Sequence, residues 1–187
     1  LRTKKQEVVN ITVSDYLKLN NAQKSWHRGY ISNSVKFNKR DITVDPYFIG
    51  LWLGDGSSNN TRITIGEKDR EILTDFLKEY CEEFQLCKFS EYKDLRSTKL
   101  PVSTYGIVND RGNSGVVKNE LLILMREYNL LNNKHIPDDY LYNSEENRLS
   151  LLAGLIDSDG SKEGRNYTIT QKNKKLSEQI VFLSRSL

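Results

Sequence analysis

Two aspartates, Asp55 and Asp159, each stand at the end of an apolar run of the same layout. In both runs, at residues 48–56 and 152–160, small residues recur four positions apart, on one helix face, where a missing Cβ lets two helix backbones approach closely. We therefore expect paired helices whose carboxyl ends hold the aspartates side by side. Such carboxylates would repel each other without a cation between them, and hard oxygen ligands suit Mg²⁺, so the pattern predicts a metal-dependent enzyme. The predicted helix contact consists of Gly50, Gly54, Gly154 and Ser158.

Both runs resemble the motif of one protein family. The second, Leu-Ala-Gly-Leu-Ile-Asp-Ser-Asp-Gly, differs at one position from the nonapeptide that names the LAGLIDADG homing endonucleases. The first, Phe-Ile-Gly-Leu-Trp-Leu-Gly-Asp-Gly, resembles the more divergent form found in endonucleases carried inside inteins, and the two acids stand 104 positions apart (159 minus 55). The resemblance implies that Asp55 and Asp159 are catalytic metal ligands and that Gly54 and Ser158 belong to the same metal site. It also implies Mg²⁺ as the cofactor, for which Mn²⁺ can substitute.

Two other charged residues are interpreted through the same resemblance. Residues 133–137, Asn-Lys-His-Ile-Pro, resemble the Lys-x-Ile-Pro segment of intein endonucleases, in which the lysine enters the active site. Lys134 is therefore predicted to be catalytic, either by stabilising charge on the phosphate or by helping to deprotonate the attacking water. A solvated lysine at a helix end is the alternative. Asp157 fits less well as a ligand because Leu53 holds the equivalent place, so a helix-end or hydrogen-bonding role is predicted for it.

The function that the resemblance implies is site-specific cleavage of both strands of double-stranded DNA. The runner-up is a DNA-binding module on the same fold that no longer cuts, such as a splicing cofactor or regulator, and the intact acids count against it. Residues 10–17, 24–37 and 45–50 resemble the passage that joins the first splicing segment of an intein to its endonuclease. The residues that carry out splicing are not found in this sequence. Residue 1 is Leu rather than a Cys or Ser nucleophile, and the sequence contains neither a Thr-x-x-His motif nor a terminal His-Asn pair.

Alternating residues predict which side chains meet DNA. In residues 62–65 and 166–171, Ile63, Ile65, Tyr167 and Ile169 are expected to face the helices, which leaves polar neighbours outward. A two-stranded ribbon fits the major groove, although an ordinary solvent-facing sheet would show the same alternation. The first 45 residues carry nine Lys or Arg against four Asp or Glu, and this basic segment includes Arg28 beside aromatic residues. The predicted DNA-binding residues are Arg62, Thr64, Arg28, Asn166, Thr168 and Thr170.

The order of predicted elements indicates an α/β fold of the α+β type, with an internal duplication. The resemblance implies a pseudo-twofold pair of repeats, with the motif helices at their interface and antiparallel sheets on DNA. We assign residues 1–44 to a basic linker-like segment, 45–143 to the first repeat and 144–187 to the start of a second. Because 28 residues follow Asp159, the second repeat is expected to be incomplete, and a second chain or further segment is expected to complete it. Alone, such a chain is expected to cut poorly.

Periodicity locates the individual elements. Strands are predicted at residues 8–13, 30–37, 62–65, 88–92, 100–108 and 166–171, and helices at 14–19, 68–86, 116–131 and 173–187, besides the two motif helices. Ser14 or Asp15 is expected to cap the helix at 14–19.

The composition excludes several classes of protein. No run of 18 apolar residues and no charged-then-apolar leader is present, so neither a membrane span nor a secretory signal is expected. Cys81 and Cys87 lack partners for a zinc site and are expected to be free thiols in an intracellular protein.

Overall fold

The computed structural model describes residues 8–29, 33–93, 103–110 and 119–187. The chain divides into two compact units, residues 1–33 and 34–187. None of the described helices is long and apolar enough to cross a membrane. The predicted domain boundaries after residues 44 and 143 stay predictions.

The first unit contains two short helices, α1 (Val13–Lys18) and α2 (Asn21–Trp26). The predicted strand at 8–13 is wrong, because the Thr12 hydroxyl accepts a hydrogen bond from the Asp15 amide and draws Val13 into the helix. Thr12, rather than Ser14 or Asp15, is therefore the N-cap. Helix α2 was not predicted; Asn20 and Gln23 bond reciprocally to each other's backbone in a capping box. Residues 33–37, the described end of the predicted strand at 30–37, form no strand.

The second unit is mixed α and β, and the predicted α+β class is confirmed. A three-stranded antiparallel sheet has the order β1-β3-β2, and a separate antiparallel hairpin joins β4 to β5. In chain order the elements are α3 (Pro46–Asp55), β1 (Arg62–Ile65), α4 (Arg70–Cys81), β2 (Cys87–Lys93), β3 (Ser103–Asn109), α5 (Glu120–Glu127), α6 (Asp138–Leu141), α7 (Glu145–Asp159), β4 (Gly160–Glu163), β5 (Asn166–Ile169) and α8 (Lys174–Arg185).

The motif helices α3 and α7 pack against each other more extensively than any other pair of helices. Asp45 caps α3 by accepting from the Phe48 amide at 2.9 Å, and Ser144 caps α7 by accepting from the Asn147 amide at 3.3 Å. Residues 48–53 of α3 are all buried, so this helix lies in the centre of the core. Both helices end at their motif aspartate, as the sequence predicts.

The glycines lie where the two backbones cross. A Cβ on Gly50 would meet the carbonyl oxygen of Leu151 and would lie 2.9 Å from the Gly154 Cα atom. A Cβ on Gly154 would meet the carbonyl oxygen of Tyr47 and would lie 2.9 Å from the Leu51 nitrogen. These neighbours are backbone atoms of packed helices, so they cannot turn aside. Only glycine allows this close approach at either position.

Gly154→Leu is expected to lower the free energy of unfolding by about 1–3 kcal/mol or more, because overpacking must push two backbones apart. Gly66→Leu is the matched control, since a Cβ at exposed Gly66 would meet nothing within 4 Å. Chemical denaturation of both variants measures the effect. Equal stability of Gly154→Leu and wild type would show that α3 and α7 do not cross at these glycines.

The second unit repeats part of itself. The order α3, β1, α4 recurs as α7, β5, α8, with an offset of 104 positions for both the strands and the following helices (166 minus 62; 174 minus 70). Ile63 and Ile65 are buried as predicted, and Ile169 is half-buried. The prediction for Tyr167 is wrong: its side chain is 55% exposed, because β5 pairs with β4 alone in a two-stranded hairpin. The strand ends at Ile169, so Thr170 lies outside it.

Candidate active site

Asp55 and Asp159 come together where α3 and α7 end. The missing Cβ of Gly54 makes room for Ser158, and a Cβ there would lie only 3.3 Å from the Asp159 amide nitrogen. Partial burial raises the pKa of both carboxyl groups, and the nearby Asp159 charge raises that of Asp55 further. The positive charge of Lys134 opposes the rise at both residues. The half-buried Asp159 and the more exposed Asp55 therefore bring two carboxyl groups to one place in the fold.

Lys134 lies beside these aspartates. Its ammonium group donates hydrogen bonds to the carbonyl oxygens of Leu53 at 3.1 Å and Gly54 at 3.0 Å, the last turn of α3. The same nitrogen lies 5.2 Å from the ring centroid of Trp52. Partial burial lowers the pKa of Lys134, whereas the negative charges of Asp159 and Asp55 raise it. The alternative of a solvated lysine at a helix end does not describe this position; a catalytic role stays a prediction.

Helix α8 holds the segment that carries Lys134, a contact that the sequence did not predict. The Gln179 side chain forms two hydrogen bonds with the backbone of Ile136, at 2.9 Å to its nitrogen and 2.7 Å to its oxygen. The side-chain amide group of Asn173, the N-cap residue of α8, donates to the Lys134 carbonyl oxygen at 2.9 Å. Single Gln and Asn side chains that form hydrogen bonds with the backbone of a distant loop produce no periodic pattern in the sequence, so this contact could not be predicted. The second copy of the motif thus positions a lysine that belongs to the first.

Gly54 and Ser158 have structural partners. The Ser158 hydroxyl donates to the Gly154 carbonyl oxygen at 2.8 Å, within its own helix, and the Gly54 oxygen accepts from Lys134. Both residues lie at the helix contact where the sequence predicts them, and their predicted place in a metal site stays a prediction. Asp157 accepts a hydrogen bond from the Tyr47 hydroxyl at 2.7 Å, which joins α7 to the start of α3. Tyr47 was not singled out from the sequence.

The donor set at the two helix ends fits a hard divalent cation. Among the described residues no cluster of three His, Cys, Asp or Glu side chains is placed to hold a metal. Mg²⁺ commonly takes only one or two carboxylates, with water and substrate phosphate oxygens as the remaining ligands. Burial raises the pKa of Asp55 and Asp159 although the charge of Lys134 opposes the rise, so a bound cation would favour the charged form of both carboxyl groups. The residues present therefore suit Mg²⁺ bound together with a phosphate group.

The predicted DNA-binding residues fall on three surfaces. Arg62 and Thr64 lie on the face of the sheet opposite the buried Ile63 and Ile65. Arg28 belongs to the first unit, where its guanidinium donates to the Ser25 carbonyl oxygen at 2.8 Å. The others are exposed residues in or just after strand β5, namely Asn166, Thr168 and Thr170. The structure therefore gives the two sheets separate exposed polar faces.

A groove of about 690 Å³ follows the outer face of the larger sheet. Arg62, Lys88 and Arg126 line it, and no Asp or Glu does so among the described residues. Lys88 forms an ion pair with Asp110 at 3.2 Å, and Asp110 is not one of the residues that line the groove. Such a basic concave surface suits a polyanion such as DNA.

Residues 135–187 match the family model for homing endonucleases. The matched segment contains α6, α7 and α8, and therefore Asp159 and the residues of α8 that hold the Lys134 segment. It supports a homing endonuclease domain, and with it a nuclease that binds DNA. The family match was obtained on the second motif, whose sequence is the closer of the two to the nonapeptide.

A second comparison concerns a longer protein. Over 122 residues the chain is 34% identical to a replicative DNA helicase, DnaB, of Mycobacterium intracellulare. The match covers 65% of this chain but spans only 15% of the helicase.

Proposed function

We propose that the chain is a LAGLIDADG endonuclease domain of an intein that cuts double-stranded DNA with Mg²⁺. The observation that carries the proposal is the meeting of Asp55, Asp159 and Lys134 at one end of the paired helices α3 and α7. The homing endonuclease match over the second motif supports it. Two carboxylates and a lysine are a set suited to hydrolysis of a phosphodiester bond.

Each residue of the site has a distinct part in this proposal. Asp55 and Asp159 would hold Mg²⁺ against the scissile phosphate, and Mn²⁺ would be held in the same way. When bound there, the cation would supply an activated water and offset charge on the leaving oxygen. Lys134, fixed by two carbonyl groups of α3, has one N–H of its ammonium left to donate to a phosphate oxygen. Glycine contacts between α3 and α7 keep the two carboxylates together.

The intein context accounts for the partial match to the helicase. An intein is carried within the sequence of a host protein, so a match that spans 15% of a replicative helicase fits an inserted segment. If the chain were simply part of a helicase, its match to the homing endonuclease family would have no explanation. We therefore propose that the DNA target is the host gene at the point where the intein-coding sequence is absent.

In the test, the purified chain is incubated with a supercoiled plasmid that carries a replicative DNA helicase gene without the intein-coding sequence, and cleavage of the plasmid is measured. We expect a nick or a cut at the insertion point, in low yield for the chain alone, which requires Mg²⁺ or Mn²⁺ and is absent in EDTA. The same plasmid with the intein-coding sequence in place is the control. Binding without any strand cleavage would favour the non-cleaving DNA-binding module, and absence of binding would contradict both functions.

A further inference from the structure

We propose that Arg62 recognises a guanine in the DNA target. Tyr92 and Gly106 hold the Arg62 side chain in position for this contact. This inference rests on the proposed function, because it assigns a base preference to the sheet of a sequence-specific endonuclease. It starts from one contact: the guanidinium carbon of Arg62 lies 3.9 Å from the centroid of the Tyr92 ring. Arginine fixed in this way presents its donors in a defined direction.

The contact spans the whole width of the sheet. Arg62 lies on β1 and Tyr92 on β2, the two outer strands, and β3 runs between them. On β3 the residue in register with Arg62 is Gly106, which is in turn paired with Ser90 of β2. A Cβ on Gly106 would lie 2.8 Å from the Arg62 Cγ atom. The side chain of Arg62 therefore crosses the central strand over its glycine, and any larger residue there would displace it.

Stacking on Tyr92 leaves the hydrogen-bonding edge of Arg62 available. At 3.9 Å from the ring centroid, the guanidinium carbon is close enough for contact face to face, which leaves the in-plane N–H donors at the edge of the group. In the described part of the chain, none of the ion pairs involves Arg62. Tyr92 is 37% exposed and Arg62 is half-exposed, so both are open to a ligand on the outer face.

The ligand that suits this arrangement is the major-groove edge of guanine. Its O6 and N7 atoms accept the two parallel N–H groups of arginine, which is the commonest specific contact between protein and DNA. The surrounding groove carries Lys88 and Arg126 without a lining carboxylate among the described residues, so the DNA backbone is attracted to the same surface. The same fork can pair with a phosphate, which carries no sequence information, so the experiment has to separate a base contact from a phosphate contact.

The experiment is selection of bound sequences from a randomised double-stranded DNA library by the full chain, with Ca²⁺ in place of Mg²⁺. Wild type is expected to enrich a motif with guanine at one fixed position. Arg62→Lys is expected to reduce the preference at that position alone by on the order of tenfold or more, since lysine lacks the fork. Tyr92→Leu is expected to weaken it too, whereas Tyr92→Phe, which keeps the ring, should retain it.

Arg185→Lys is the matched control, because Arg185 is exposed at the end of α8 and is not among the residues that line the groove. It should leave the guanine preference unchanged. An unaltered motif with Arg62→Lys, or a uniform loss of affinity across all sequences, would overturn the assignment and identify a phosphate contact in the second case. If wild type enriches no motif at all, the proposed site-specific endonuclease fails as well. The two failures are therefore distinguishable.

Discussion

Asp55→Asn and Asp159→Asn are each expected to abolish DNA cleavage while raising the melting temperature of the metal-free protein at neutral pH. Asparagine keeps the size of the side chain but removes the charge that would hold the cation. Loss of cleavage should exceed 10³-fold, on the order expected when a group that acts on the transition state is removed. DNA binding in Ca²⁺ should be retained at least in part, because other contacts supply most of the affinity.

The rise in stability follows from the sign of the pKa shifts. Burial raises the pKa of both carboxyl groups above 3.8 in the folded protein, so the folded state holds its protons to higher pH than the unfolded state does. The free energy of unfolding then falls as pH rises from 3.8 through the raised pKa. At neutral pH the wild type carries this penalty at both carboxyl groups, and each Asn variant lacks it at the substituted residue. The difference in melting temperature should shrink as the pH is lowered towards 4.

Thermal unfolding in EDTA and in Mg²⁺ measures this prediction without reference to catalysis. A cation that binds only the folded state raises the melting temperature of wild type, and it should do so much less in either variant. Asp157→Asn is the matched control on the same helix, because asparagine can still accept the hydrogen bond from Tyr47. Cleavage by an Asn variant at the wild-type rate would contradict the assignment of these ligands. An equal response of all four proteins to Mg²⁺ would place the cation elsewhere.

The sequence predicted the centre of the molecule well because that centre is constrained by backbone contact. Only residues without a bulky side chain fit where α3 crosses α7, so Gly50 and Gly154 carry a visible signal. The alternation around Ile63 and Ile65 is equally legible, because burial on one face of a strand restricts every second residue. The positions of Asp55 and Asp159 were predicted for the same reason. Each lies at the end of a helix whose place is set by the glycine contact.

Contacts between distant segments left no such signal. Arg148 is fully buried in α7 and donates to the carbonyl oxygens of Asn143 and Ser186, in two different segments. A lone arginine in an apolar helix is read from sequence as surface charge, and its acceptors are backbone atoms that every residue possesses. The same holds for Gln179 and the Lys134 segment. Short-range competition explains the wrong strand at residues 8–13, where the Thr12 cap outweighs the β preference of Val13.

Lys134→Ala is expected to slow cleavage by about 10²–10³-fold while changing DNA affinity little. The reason is its geometry: two N–H groups of the ammonium are engaged by the Leu53 and Gly54 carbonyl oxygens, so the remaining one has a fixed direction. That donor is expected to stabilise charge that develops on the phosphate during reaction rather than charge present in the bound substrate. Single-turnover cleavage and binding in Ca²⁺ separate the two effects.

The pH dependence identifies the active form of Lys134. Burial lowers its pKa below 10.5, so a rate that depends on the ammonium is fully present below the lowered pKa and is lost as pH rises through it. The decline should therefore begin at lower pH than for an ordinary lysine and should be absent from the slow residual rate of Lys134→Ala. Lys175→Ala, which removes an exposed lysine of α8, is the control and should behave as wild type.

A rate that rises with pH in wild type but not in Lys134→Ala would instead make the neutral amine the base that deprotonates water. Loss of affinity with an unchanged rate constant would reduce Lys134 to a phosphate contact.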